Sequence, residues 1–197
     1  HVPPLHGGAR IADHAGAGGV QDAQVVLGDH MPLLRRLAIP GQGLGKIRRL
    51  ADTMSERQIV PELEVFDFGM VDYAHYLIDR GTLRPPYVFN LLLGSLGTLA
   101  ATPANLALLV ERLPRGAIWN AAGVGRFQWP MNALGIVMGG HVRTGLEDNS
   151  YLDTARRELA TNEQLVARVA GLAAAAGRSV ATPDEARTLL GLVPVRL

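Results

Sequence analysis

Tyr87-Val88-Phe89-Asn90-Leu91-Leu92-Leu93, introduced by Pro85-Pro86, is the run whose reading decides the fold. It reads as a strand apolar on both faces, the pattern of a parallel sheet covered by helices and not of a half-exposed antiparallel one. The neighbouring segments agree. Upstream, a basic amphipathic helix from Lys46 to Glu56 leads into the β-rich run Glu62-Leu63-Glu64-Val65-Phe66-Asp67-Phe68, and a helix near Asp72 to Arg80 follows. Downstream, Thr102-Pro103 announces a helix with a side-chain cap and a proline at its first position, and Leu106, Leu109, Val110 and Leu113 form its apolar stripe. A third strand, Ala117 to Ala122, runs into Gly123-Val124-Gly125, and a helix from Trp129 to Met138 links it to a strand over His141 to Leu146. A long Ala-rich helix from Tyr151 to Ala176 is expected next, and Thr182-Pro183-Asp184-Glu185 opens the last helix with a capping box.

Strand and helix alternate four times in this way, and parallel neighbours need crossovers of this length. The fold class is α/β. Periodicity alone leaves barrel and doubly wound sheets open. Residues 1–44 differ in kind: Val2-Pro3-Pro4, Gly7-Gly8 and the Gly/Ala tract Ala15 to Gly19 are loop signals, and only Ala23 to Leu27 and Leu33 to Leu37 could form short elements. The chain therefore divides into an irregular segment, 1–44, and an α/β segment, 45–197.

With 48% hydrophobic and 19% charged residues and a net charge of +1, the 197-residue chain is globular in composition and implies neither nucleic acid nor an anionic membrane surface as partner. Cysteine is absent, so His, Asp and Glu are the strong metal ligands at hand. No apolar run reaches the roughly 18 residues of a membrane span, and no secretion signal is visible, which makes the cytoplasm the expected compartment. Gly41-Gln42-Gly43-Leu44-Gly45-Lys46 fails as a phosphate loop, because Pro40 and Ile47 stand where glycine and Ser/Thr are required.

Chemistry is expected at Gly139-Gly140-His141-Val142-Arg143-Thr144-Gly145-Leu146-Glu147-Asp148-Asn149. Strand alternation puts Arg143 on one face with Gly145 and Glu147, while Asp148 begins the turn beyond the strand's carboxyl end, where ligands bind in parallel α/β folds. Carboxylates beside an arginine can hold a metal ion or accept a proton, and they can equally form a solvated ion-pair cluster. Glu64, on one strand face with Glu62, is costly inside a buried strand unless paired or functional, which makes it a candidate site residue. His75 and His141 read as structural.

Four strings carry a resemblance: Pro61 to Met70, Phe89 to Gly94, Ala122 to Arg126, and Gly140 to Asn149. In them the chain resembles the β-keto acid cleavage enzymes, of the 3-keto-5-aminohexanoate cleavage type, from about Gly45 to Leu192. The resemblance implies a zinc-dependent (β/α)8 barrel in which a β-keto acid and acetyl-CoA exchange carbon fragments to give acetoacetate and a new acyl-CoA. It implies Glu147 as a zinc ligand, Arg143 and Asp148 as the pair that deprotonates the keto acid, and Glu64 near the substrate's distal group. It implies a homo-oligomer, a tetramer in relatives. The family takes its other zinc ligands from an early His-x-His, and that motif occurs nowhere in this sequence. The expectation is therefore the second half of a barrel, either an impaired enzyme or a silent half that pairs with another chain. A Schiff-base aldolase is disfavoured, since Lys46 is the sole lysine and precedes the first strand of the alternating region.

Overall fold

The structure, a computed structural model, describes residues 27–28, 35–38 and 43–192. Six parallel strands form one sheet: β1 (Leu27–Gly28), β2 (Arg35–Ala38), β3 (Pro61–Val65), β4 (Val88–Leu93), β5 (Ile118–Gly123) and β6 (His141–Arg143), in the spatial order β1-β6-β5-β4-β3-β2. The helices α1 (Leu44–Glu56), α2 (Phe68–Asp79), α3 (Pro103–Arg112), α4 (Gln128–Val137), α5 (Asn162–Ala175) and α6 (Pro183–Leu189), with a short 3-10 helix at Gly125–Phe127, complete the described elements. From β3 to β6 the strands lie side by side in sequence order, each followed by a helix, as a partial (β/α)8 barrel requires. The two short outer strands fall within residues 1–44, where the sequence allowed short elements; most of that segment lies outside the described residues. None of the described helices is long and apolar enough to cross a membrane.

Alternation sorts the sheet into an apolar face and a polar one. Leu63, Val65, Phe89, Leu91, Leu93 and Ala121 pack with Val71, Ala74 and Leu77 of α2, Leu106 and Leu109 of α3, and Met131 of α4. Burying a side chain of the size of Leu or Phe contributes roughly 1.5–3 kcal/mol, so this face holds the helices to the sheet. The opposite face presents Glu62, Glu64, Asn90, Asn120, His141 and Arg143, because Glu64 pairs with Asn90, Asn90 with Asn120, and Asn120 with His141 in register.

Two elements depart from the sequence reading. Strand β3 stops at Val65 because Asp67 leaves the sheet to cap α2, its Oδ1 accepting from the Met70 amide at 3.0 Å. Helix α5 begins at Asn162, not Tyr151. Ahead of it, Asp153 Oδ1 takes the amides of Arg157 and Glu158 at 2.8 and 2.9 Å, a local bond pattern that competes with helix. The Glu158 amide, with those from Arg157, holds the Asp153 carboxyl below its ordinary value. Thr161 and Gln164 then form a reciprocal capping box that fixes the true start.

Close approach is required at Gly140, where an added Cβ would run into the Trp119 ring. An aromatic ring on a strand cannot swing aside as a flexible chain can, so Gly140→Ala is expected to cost about 1–3 kcal/mol in urea unfolding. A change below 0.5 kcal/mol would mean that β5 and β6 yield there.

Candidate active site

Strand β6 ends at Arg143, three residues sooner than the sequence suggests, and residues 145–148 form a turn. The amides of Asp148 and Asn149 both donate to the Gly145 carbonyl at 3.3 Å. That turn, not strand alternation, brings Glu147 and Asp148 back onto Arg143. It is tied from three sides. Gln128 Nε2 at the start of α4 donates to the Gly145 carbonyl at 2.8 Å, the Leu146 amide donates to Asn162 Oδ1 at the start of α5 at 2.9 Å, and the Gly125 amide donates to the Asp148 carbonyl at 2.6 Å.

The Arg143 guanidinium is the hub. Its Nη1 donates to Glu64 Oε1 at 2.9 Å, its Nη2 lies 2.9 Å from Glu147 Oε2, and its Nε and Nη2 reach Asp148 Oδ2 and Oδ1 at 3.0 and 3.2 Å. The Asp148 contact is a two-pronged fork of the kind only arginine makes. Side-chain exposure is 6% for Arg143, 7% for Asp148 and 11% for Glu64, against 65% for Glu147. Burial acts most strongly on the Arg143 guanidinium and pulls its pKa down, but the combined fields of Asp148, Glu147 and Glu64 and the Glu64 hydrogen bond raise it above its ordinary value. Arg143 therefore stays charged at any working pH.

The Glu64 contact also reports on shape. Strands β3 and β6 are separated by β4 and β5, a distance of roughly 14 Å in a flat sheet. An ion pair of 2.9 Å across that interval is made by side chains converging over a concave surface, so the polar face is the inside of the curve. The four sequence candidates Glu64, Arg143, Glu147 and Asp148 are thus gathered at one place by β3, β6 and the turn after β6. His75 Nε2 instead meets the Arg112 carbonyl at 2.8 Å, linking α2 to α3 away from this cluster. Gln128 and Asn162, which tie the turn, carry no mark of that role in the sequence. A polar residue at a helix start gives no signal of what it will reach.

A family model for beta-keto acid cleavage enzyme matches residues 39–192. The chain belongs to the beta-keto acid cleavage enzyme family. Among its relatives, the 3-keto-5-aminohexanoate cleavage enzyme of Fusobacterium nucleatum is 46% identical over 146 residues, covering 74% of this chain and 53% of the relative. A cleavage enzyme with the same description from Acetoanaerobium sticklandii is 41% identical over 139 residues (71% and 50%), and the 3-oxoadipate:acetyl-CoA acetyltransferase of Cupriavidus necator is 39% identical over 147 residues (73% and 51%). The chain spans about half the length of these curated relatives. A solved ternary complex of ObcA with a C4-CoA adduct and oxalate superposes with a TM-score of 0.67 at 18% identity, covering 81% of this chain and 45% of that one. At that identity the likeness concerns the fold.

Among the described residues, the zinc that the family resemblance implies meets an incomplete donor set. Among the described residues no group of three or more His, Cys, Asp or Glu is placed to hold a metal ion. A catalytic zinc takes three protein ligands as a rule. Glu147 alone does not fit it, and in this structure that carboxylate lies against Arg143.

Proposed function

We propose that this chain contributes the proton-transfer half of a β-keto acid cleavage centre, in which a β-keto acid and acetyl-CoA exchange carbon fragments. The observation that carries the reading is the buried fork from Arg143 onto both oxygens of Asp148. A carboxylate fixed in that way is a positioned base. Asp148 takes a proton from the carbon between the two carbonyls of the keto acid. The carbanion attacks the thioester carbonyl of acetyl-CoA and forms the new carbon–carbon bond. The thioester carbon–sulfur bond breaks, the released CoA thiolate adds to the former keto carbon, and the original carbon–carbon bond breaks, so that the other fragment leaves as an acyl-CoA and the acetoacetate carbanion takes the proton back from Asp148. No redox partner is needed, since one bond of each kind forms and one breaks.

Support comes from the relatives: the Cupriavidus necator protein carries acetyl-CoA acetyltransferase in its description, and those of Fusobacterium nucleatum and Acetoanaerobium sticklandii carry keto acid cleavage. Glu64 would stand near the distal end of the keto acid, and Glu147 would serve as a zinc ligand. The remaining ligands would come from outside the described residues or from another chain, and homo-oligomeric assembly belongs to the same proposal. A cytoplasmic setting is proposed with it, since acetyl-CoA is an intracellular thioester.

The lack of further metal donors among the described residues favours a second reading, a half-barrel silent on its own. One experiment separates the two. Purified residues 1–197 are assayed for zinc by elemental analysis and for acetoacetate release from β-keto acids with acetyl-CoA, with size-exclusion chromatography alongside. Weak zinc binding, association into larger species and little turnover are expected of a chain whose outer strands and incomplete site await a complement. A monomer with stoichiometric zinc and normal turnover would overturn the half-barrel reading and establish a complete enzyme.

A further inference from the structure

The polar face of the sheet also holds groups that the proposed reaction does not use, Asn90 among them. Asn90 lies in the middle of β4, fully buried, and neither its Nδ2 nor its Oδ1 has a hydrogen-bond partner. Its neighbours on the strand, Phe89, Leu91 and Leu93, belong to the helix-side core, so alternation places the amide on the opposite, concave face. In register it stands between Glu64 and Asn120. Neither satisfies it: the Glu64 Oε1 accepts from Arg143, and the Asn120 Nδ2 donates to Glu62 Oε1 at 3.4 Å. The ion pair from Arg143 on β6 to Glu64 on β3 spans the two strands between, one of which carries Asn90.

A buried amide with both atoms unpaired is among the costlier features a core can keep, and leucine, with the same branched heavy-atom skeleton and no polar atom, would remove the cost. We infer that Asn90 is a specificity-determining contact on the floor of the site, reading the distal end of the keto acid. The inference rests on the proposed function: a keto acid whose reacting end lies at Arg143 and Asp148 extends its other end toward the sheet floor. The carboxamide dictates the ligand chemistry. An ammonium group brings donors only and leaves Nδ2 unpaired, and a carboxylate brings acceptors only and leaves Oδ1 unpaired. A hydroxyl or carboxamide supplies both, so the favoured substrates are β-keto acids with an uncharged distal group that both donates and accepts.

The test compares two probes, 3-oxohexanoate and 5-hydroxy-3-oxohexanoate, by calorimetric binding without acetyl-CoA, so that no turnover is needed. The wild-type chain is expected to hold the hydroxylated acid roughly ten- to hundredfold more tightly. Asn90→Leu should abolish that preference while the affinity for 3-oxohexanoate stays level or rises, and its melting temperature should not fall. Asn90→Ser, which keeps a donor and acceptor but shortens the reach, provides a second variant if the leucine variant does not fold; its preference should shrink severalfold. Equal affinity of the wild type for both probes, binding of neither, or an unchanged preference in Asn90→Leu overturns the inference. A preference that is unchanged while stability drops would mark Asn90 as a purely structural amide satisfied by buried water, which also overturns it. Failure of the reaction reads differently: the hydroxylated acid binds with its preference intact, yet adding acetyl-CoA releases no acetoacetate.

Discussion

Arg143→Met is expected to destabilise the fold by about 3–5 kcal/mol, because it leaves the nearly buried carboxylates of Glu64 and Asp148 facing each other without a counter-charge. The loss exceeds anything the ion pairs add individually. Removing one member of a buried network uncovers the desolvation cost of those that remain, whereas exposed pairs such as Arg48 with Asp52 are worth about 0–1 kcal/mol. Urea unfolding of wild type and variant measures the difference directly, provided the slopes agree. Adding Glu64→Leu should restore part of the loss, since these residues share one network and their effects do not add. A loss of under 1 kcal/mol for Arg143→Met would show that the cluster behaves as a solvated surface group.

The second large effect is chemical. In a full-length relative that carries the same arginine, glutamate and aspartate spacing as Arg143, Glu147 and Asp148, changing the aspartate to asparagine is expected to lower turnover about 10²–10⁴-fold, the usual share of a positioned general base. Zinc content should remain as in the parent enzyme, because the proposed metal ligand is the neighbouring glutamate, the counterpart of Glu147. Metal analysis and steady-state kinetics on one preparation decide it. Parallel loss of zinc and turnover would mean that the roles of base and ligand are exchanged.

The strand order was legible because each strand announces itself by composition: Val88 to Leu93 is buried at every position, as a run with no polar face but Asn90 suggests. The convergence of Glu64 with Arg143 was legible as placement near a rim, but the alternation used to reach Glu147 was wrong in its cause. Strand β6 is only three residues long, and a turn does the work. Turns of this kind are fixed by partners distant in sequence, here Gln128 and Asn162, and no local pattern records them. The start of α5 is the opposite case. Thr161 and Gln164 are a capping box visible in the sequence, whereas the Asp153 side chain that takes the Arg157 and Glu158 amides and keeps the helix from starting at Tyr151 is not. Asn90 was hidden in plain view, since one polar residue in a buried strand carries no mark of whether its amide is paired.

The three backbone ties on the turn after β6 have a mechanical consequence. The Gly145 carbonyl, the Leu146 amide and the Asp148 carbonyl are each anchored to a different neighbour, in α4, at the head of α5 and in the loop after β5. Three anchors to separate bodies leave a short loop no hinge about which to swing. The carboxylate of Asp148 is therefore aimed during folding, and its orientation need not be bought again each time a reactant arrives. The same triangulation makes the head of α5 a lever: a displacement there reaches the Leu146 amide through one bond and must tilt the two acidic residues that follow.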